Sequence, residues 1–253
     1  MSNIYLVNVG CNTAHSSIAR SPRFANGSFV FVPFPCPNPD EEFVRQYSPM
    51  YVPFVRNCIL THDDPDWPYL TYGDDCNNPR ARALCHVAQG DILLFWGLLC
   101  NNAGNAWATF DGNSGWYLLG ALRVAEILVG GQTPEDAHAD HVPRARRNVH
   151  FNDGVLRATD RVFVADPEYS TLFTTAVDLE VGNEQGLVYS AMRTATGLRL
   201  CRNGSPKWSS SLRACRRMWD LDDPEHWQRA QLVRNAILAD NNNYDLLRDI
   251  VHA

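Results

Sequence analysis

Apolar positions in this chain come in short blocks separated by polar, proline-rich stretches. Residues 4–9 (IYLVNV) alternate and are rich in β-forming side chains, which predicts a strand. Residues 10–26 are polar and turn-rich and read as a long loop, a feature often tied to function. Residues 28–34 (SFVFVPF) predict a second strand, ended by prolines 33, 35, 37 and 39. A short helix is expected near residues 41–46 and another over residues 79–86. Residues 92–98 (ILLFWGL) form a nearly unbroken apolar run, the pattern of a strand covered on both faces. Residues 115–128 predict a further extended segment, and residues 160–164 and 176–181 later strands. Thr133 and Pro134 can open a short helix over residues 133–141. Near the C-terminus, Asp222 or Asp223 can cap a helix with Pro224 in its first turn. Trp227, Ala230, Val233 and Ile237 then fall on one face. The Asn241–Asn243 run should break it, and a terminal helix is expected over residues 244–251.

These elements predict an α/β or α+β fold: a mixed, partly barrel-like β-sheet with short helices and a C-terminal helix pair, in one domain over residues 1–253. With 45% hydrophobic residues the chain can bury one sizeable core. No apolar run reaches the roughly 18 to 20 residues that span a bilayer, and the first residues lack a basic leader. A cytoplasmic location is therefore expected, with no membrane partner. The 8 cysteines are then expected to be reduced thiols, and no C-x-x-C pair suggests zinc. Asn26 and Asn203, each in an Asn-Gly-Ser triplet, read as turns. The formal net charge of −6 argues against strong nonspecific phosphate binding. Residues 141–217 nevertheless carry 12 basic and 7 acidic side chains, a net of +5 that could face nucleic acid.

Three stretches together resemble a known family. They are YLVNVGCNTAHSSIARSPRFANGSFVFVPFP, then THDDPDWPYLTYGD, then GDILLFWGLL with the later GWYLLGALRVAEI. Their order and spacing are similar to the nucleotide-modification-associated domains, third group. The likeness is carried by roughly the first half of the chain, most specifically by residues 62–74. It implies a role in DNA base hypermodification, in phage or defence gene clusters. One such setting makes 7-deazaguanine bases in DNA, where a nitrile-bearing base is hydrated to an amide. The resemblance assigns no catalytic residues.

Those come from the loops. His62, Asp63, Asp64, Asp66, Asp74 and Asp75 cluster in one polar, aromatic segment, and His with Asp suits proton transfer. An acidic turn without chemistry has the same composition. His62, Asp64 and Asp74 are taken as acid/base residues. Trp67 or Tyr72 would stack an extruded base, with Tyr69 or Trp96 in the core. Arg20 and Ser21 in the long loop, and Arg144, Arg146 and Arg147, would hold backbone phosphate, extended by Lys207, Trp208 and Arg213. Cys11, near His15, is a candidate nucleophile toward a nitrile carbon, as are Cys36, Cys58 and Cys76, whereas Cys100 looks inert. His138 and His141 resemble half a metal site, but no third ligand is near and they read as an exposed helix face. No P-loop, dinucleotide fingerprint or deaminase signature is present, so no cofactor and no metal is expected.

The resulting expectation is an enzyme that tailors a hypermodified base in DNA, by hydrating the nitrile of 7-cyano-7-deazaguanine to the amide. Its partners would be DNA carrying that base and other proteins of a DNA-modification gene cluster. A non-catalytic reader of modified bases and a free-nucleotide-binding protein are the alternatives.

Overall fold

The computed structural model describes residues 2–38, 44–151, 154–179 and 215–250. Its backbone is a curled eight-stranded sheet built around two long neighbours, β7 (Ile92–Asn102) and β8 (Phe110–Val129). They form an antiparallel hairpin through most of their length. β1 (Asn3–Asn8) lies parallel to the first half of β7, and the two-residue β2 (Pro22–Arg23) continues along its second half. β9 (Asp160–Ala165) and β10 (Thr171–Asp178) run in succession along the far edge of β8, each antiparallel to it. β11 (Arg216–Asp220) pairs with β1 at one margin, and β6 (Thr71–Asp75) pairs with β9 at the other. A small three-stranded sheet carries β5 (Leu60–His62) between β3 (Phe34–Pro35) and β4 (Arg45–Gln46).

The apolar run in β7 is covered on both faces, as its pattern predicts. Ile92, Leu94, Trp96 and Leu98 point to one side and Leu93, Phe95 and Leu99 to the other. The first side packs on a C-terminal helix that we number α2 (Pro224–Asp240), through Ala230, Val233 and Ile237. The Asp223 carboxylate caps this helix, accepting from the backbone N–H groups of Glu225 and His226 at 2.8 and 3.1 Å. Asn241 ends it and fastens it to β10. Its side-chain oxygen accepts from the N–H groups of Thr174 and Thr175, and its amide donates to the Thr175 carbonyl. The second side of the sheet gathers Tyr5, Val7, Trp67, Tyr72, Leu84 and Phe163, and here the candidate site lies.

Some expectations need correction, though not that of a partly barrel-like sheet, which coils without closing into a barrel. Its margins approach where the Cys215 N–H donates to the Arg80 carbonyl, without a ladder between β11 and β6. The predicted helix pair is a single helix, because residues 242–250 form turns with Asp249 at a φ of 58°. Buried Tyr244, Leu246 and Leu247 anchor these turns in the core. The segment 28–34 is extended but joins no ladder between a bridge at Phe29 and the start of β3 at Phe34, because Pro33 removes a donor there. Residues 45 and 46 form β4 rather than a helix, and residues 41–43 lie outside the described residues. At 133–141 a single 3-10 turn (Pro134–Asp136) carries the Thr133–Asp136 capping box, and the four-residue α1 (Val142–Ala145) begins later.

Candidate active site

β6 places alternate side chains on opposite sides of the strand. Tyr72 and Asp74 face the buried side of the sheet, and the Tyr72 O–H donates to Asp74 Oδ2 at 2.6 Å. The Tyr72 ring lies edge-on to Phe95 and stacks on Phe163. It therefore offers its hydroxyl, not its face. On the other side of β6, the missing side chain of Gly73 makes room for His150. A Cβ at Gly73 would sit 2.3 Å from His150 Cδ2. The Gly73 N–H donates to Asp64 Oδ2 at 2.7 Å, which fixes the preceding loop against the strand.

That loop is closed by a pair of backbone hydrogen bonds between Asp66 and Thr71, and it divides the acidic cluster. His62 and Asp64 turn toward the strand. Asp66 turns away and pairs with Arg45 at 3.4 Å. Burial, reinforced by Asp63, raises the Asp66 carboxyl to about 6. The described structure adds two groups. His150 Nε2 lies 3.5 Å from Asp64 Oδ2, and its Nδ1 lies 3.1 Å from Asp160 Oδ2. His62 Nε2 lies 3.9 Å from the same Asp64 oxygen, and the two imidazoles meet edge to face at 5.2 Å. The Asn148 side chain donates to Thr71 Oγ1 at 3.1 Å and reaches Asp64 Oδ1 at 3.5 Å. Burial pulls the His150 pKa down, but its hydrogen bonds to Asp160 and Asp64 prevail and hold it at about 9. Burial lifts Asp74 to about 6, opposed by the Tyr72 hydrogen bond and assisted by the Asp64 charge.

These groups line one cavity of about 470 Å³, within the range of small-molecule sites. Its wall holds His62, Asp64, Asp74, Asp75, His150 and Asp160, together with the hydroxyl end of Tyr72. Asn8, Asn12 and the 37% exposed ring of Phe34 form another part of the wall, and Arg80 and Arg157 are exposed at it. A larger cavity of about 680 Å³, between Cys36, Tyr47, Val52, Val55, Ile59 and Leu60, is mainly apolar and lacks such a constellation.

The other sequence-predicted residues fall elsewhere. Cys11 does not line the cavity. It is buried, its thiol donates to the carbonyls of Val32 and Pro33, and burial raises its pKa, so it is not set up as a nucleophile. Arg20 donates to the Ser16 carbonyl and lies over the rings of Trp107 and Phe110. Ser21 is buried and exchanges hydrogen bonds with the Val32 backbone. Trp67 packs edge-on against Phe31 and Phe95 in the core, and Trp96 is fully buried. Arg144 donates to the Ala165 carbonyl, Arg146 pairs with Glu135 and Arg147 covers the Tyr69 ring. His141 pairs with Glu126 at 2.6 Å. Lys207, Trp208, Arg213, Cys201 and Asn203 lie outside the described residues. Sequence reading missed His150, Asp160, Arg80 and Arg157. His150 sits in an apolar VHF triplet with no neighbouring signal.

Fold and site define an α+β protein with a carboxylate- and histidine-lined cavity at the margin of a curled sheet. Within that class the chain belongs to the nucleotide modification associated domain 3 family, whose model matches residues 3–241. The match runs well past the first-half segments that carry the resemblance and takes in α2. No curated protein and no solved structure matches the chain. Family membership ties the protein to nucleotide modification. No helix among the described residues is long and apolar enough to cross a membrane.

Proposed function

We propose that the β6 cavity receives a base of DNA and modifies it by proton transfer. The observation that carries this reading is the meeting of the Asp74–Tyr72 pair with His62, Asp64 and His150 in one cavity of base-accommodating size. Phe34 offers a ring face for the base, and Asn8 and Asn12 offer amides for its edge. Arg80 and Arg157 at the wall suit phosphate. Asp74 is poised for proton exchange, because a carboxyl of pKa about 6 is a stronger base than an ordinary carboxylate and remains mostly ionised at neutral pH. Tyr72 is a positioning residue that orients it.

The reaction we assign is addition of water to the nitrile of 7-cyano-7-deazaguanine in DNA. Water yields a proton to Asp74 as its oxygen bonds to the nitrile carbon. One π bond of the nitrile opens, and the nitrogen takes up the proton. A second proton shift, from oxygen to nitrogen, gives the amide. One water is consumed and no oxidant or reductant is required. The family match supports nucleotide modification as the setting, and the step itself asks only for water and the proton-exchanging groups that line the cavity.

Nucleoside mass spectrometry on DNA carrying the nitrile base, with and without the protein, tests it. The expected result is a gain of one water at that nucleoside. Binding to the modified DNA with unchanged nucleoside mass would instead identify a reader. Indifference to DNA, with binding of the free nucleotide, would identify a nucleotide-binding protein.

A further inference from the structure

We infer that His62, Asp64 and His150 form a binding site for one divalent transition-metal ion. Each offers one ligand atom, and the three atoms lie within 4.8 Å of one another, the only such trio among the described residues. Metal bonds of about 2.0–2.2 Å place neighbouring ligands roughly 3 to 4 Å apart. The separations of 3.5 Å from His150 Nε2 to Asp64 Oδ2 and 3.9 Å from His62 Nε2 to the same oxygen match that spacing.

The surroundings of the trio suit an ion that displaces a proton from His150 as it binds. His150 Nδ1 is engaged by Asp160, itself 2% exposed, so Nε2 is turned toward Asp64 and His62. A carboxylate behind a histidine is the arrangement that orients metal-bound imidazoles and raises their basicity. Asp64 is held from two directions, by the Gly73 N–H at Oδ2 and by the Asn148 amide at Oδ1. Gly73 lets His150 approach the strand at a distance no side chain would allow. His62 is 29% exposed and forms the solvent side, so an ion can enter and keep positions open to the cavity. Two imidazoles and one carboxylate suit zinc in a catalytic three-ligand site and equally a ferrous ion. The shared chemistry is a nitrogen-rich divalent site able to acidify water or polarise a base substituent. Its catalytic use rests on the reading of the cavity given above, whereas ion binding itself does not.

The test is titration of the chelator-treated full chain with zinc and with cobalt, and with ferrous iron under anaerobic conditions. Calorimetry and the cobalt ligand-field spectrum are the readouts. One ion per chain is expected for at least one metal. His62→Ala, at the half-exposed position, should weaken binding at least 100-fold while keeping the native circular dichroism. Asp160→Asn should weaken it about 10- to 100-fold. Asp74→Asn should bind the ion like the parent chain while losing base conversion. Absence of stoichiometric binding, or equal binding by His62→Ala and the parent, would overturn the site. Tight binding at His62 with no base conversion by the metal-loaded parent would overturn the proposed reaction and leave the metal assignment standing.

Discussion

Replacing Asp74 by Asn should stabilise the metal-free protein at neutral pH while disabling it. The Asp74 carboxyl is raised from its ordinary value near 3.8 to about 6, chiefly by burial. Its folded pKa therefore exceeds its unfolded one, and the folded state binds the proton more tightly. The stability this group contributes is complete below about pH 4 and is lost as pH rises through about 6. Two pKa units correspond to about 3 kcal/mol, which the ionised carboxylate withholds from folding at pH 7.5. Asn has no charge to desolvate, and the shift already contains the loss of the charge-assisted bond from the Tyr72 hydroxyl. The net expectation is a gain of about 3 kcal/mol at pH 7.5, or roughly 6–12 °C in Tm for a chain of this size. At pH 4.5, where the folded parent carboxyl is mostly protonated but the unfolded one is still mostly ionised, the gain should shrink to about 1 kcal/mol. Thermal or urea unfolding of both proteins at the two pH values, in chelator, measures the difference and cancels contributions from Asp66. Base conversion should fall by about 100- to 10,000-fold, the usual worth of a general acid or base. Equal stability differences at both pH values would refute the burial argument for Asp74.

Gly73→Ala should push His150 off β6, because the added Cβ meets the imidazole at 2.3 Å. Conversion should drop to the level of His150→Ala, with a loss of stability of about 1–3 kcal/mol by urea unfolding. Asn241→Ala strands the N–H groups of Thr174 and Thr175 and should cost about 2–4 kcal/mol, while conversion measured below the lowered Tm stays intact. Arg80→Ala and Arg157→Ala should each weaken DNA binding and reduce the slope of log affinity against log salt by about one, read by fluorescence anisotropy. Arg146→Ala, on a residue paired with Glu135, should leave that slope unchanged.

The legible parts of this molecule were those with a local cause. β7 announced itself through an apolar run that only a doubly covered strand can bury, and α2 through Asp223, Pro224 and the spacing from Ala230 to Ile237. The polar segment around His62, Asp64, Tyr72 and Asp74 could be singled out, because its composition is unusual and its resemblance specific. What remained hidden depends on contacts between distant segments. His150 and Asp160 gain meaning only when β9 pairs with β6 and the Val149–Phe151 turn folds back on Gly73. Nothing near Cys11 revealed that its thiol is sealed under Val32 and Pro33. The arginine cluster at 144–147 looked like a phosphate grip, yet Arg144 and Arg146 are committed to Ala165 and Glu135. Charge density in a sequence does not say where a guanidinium is already engaged. Whether the sheet closes was illegible for a related reason, since strand count and twist are visible locally but closure is decided by which margins meet.

The most direct test of the account is conversion of nitrile-bearing DNA in oxygen-labelled water by the parent chain and by Asp74→Asn, followed by nucleoside mass spectrometry. The account predicts one labelled oxygen in each converted base with the parent protein, and little or no conversion with the variant. An unchanged base with the parent, or labelled product formed equally fast by Asp74→Asn, would contradict it.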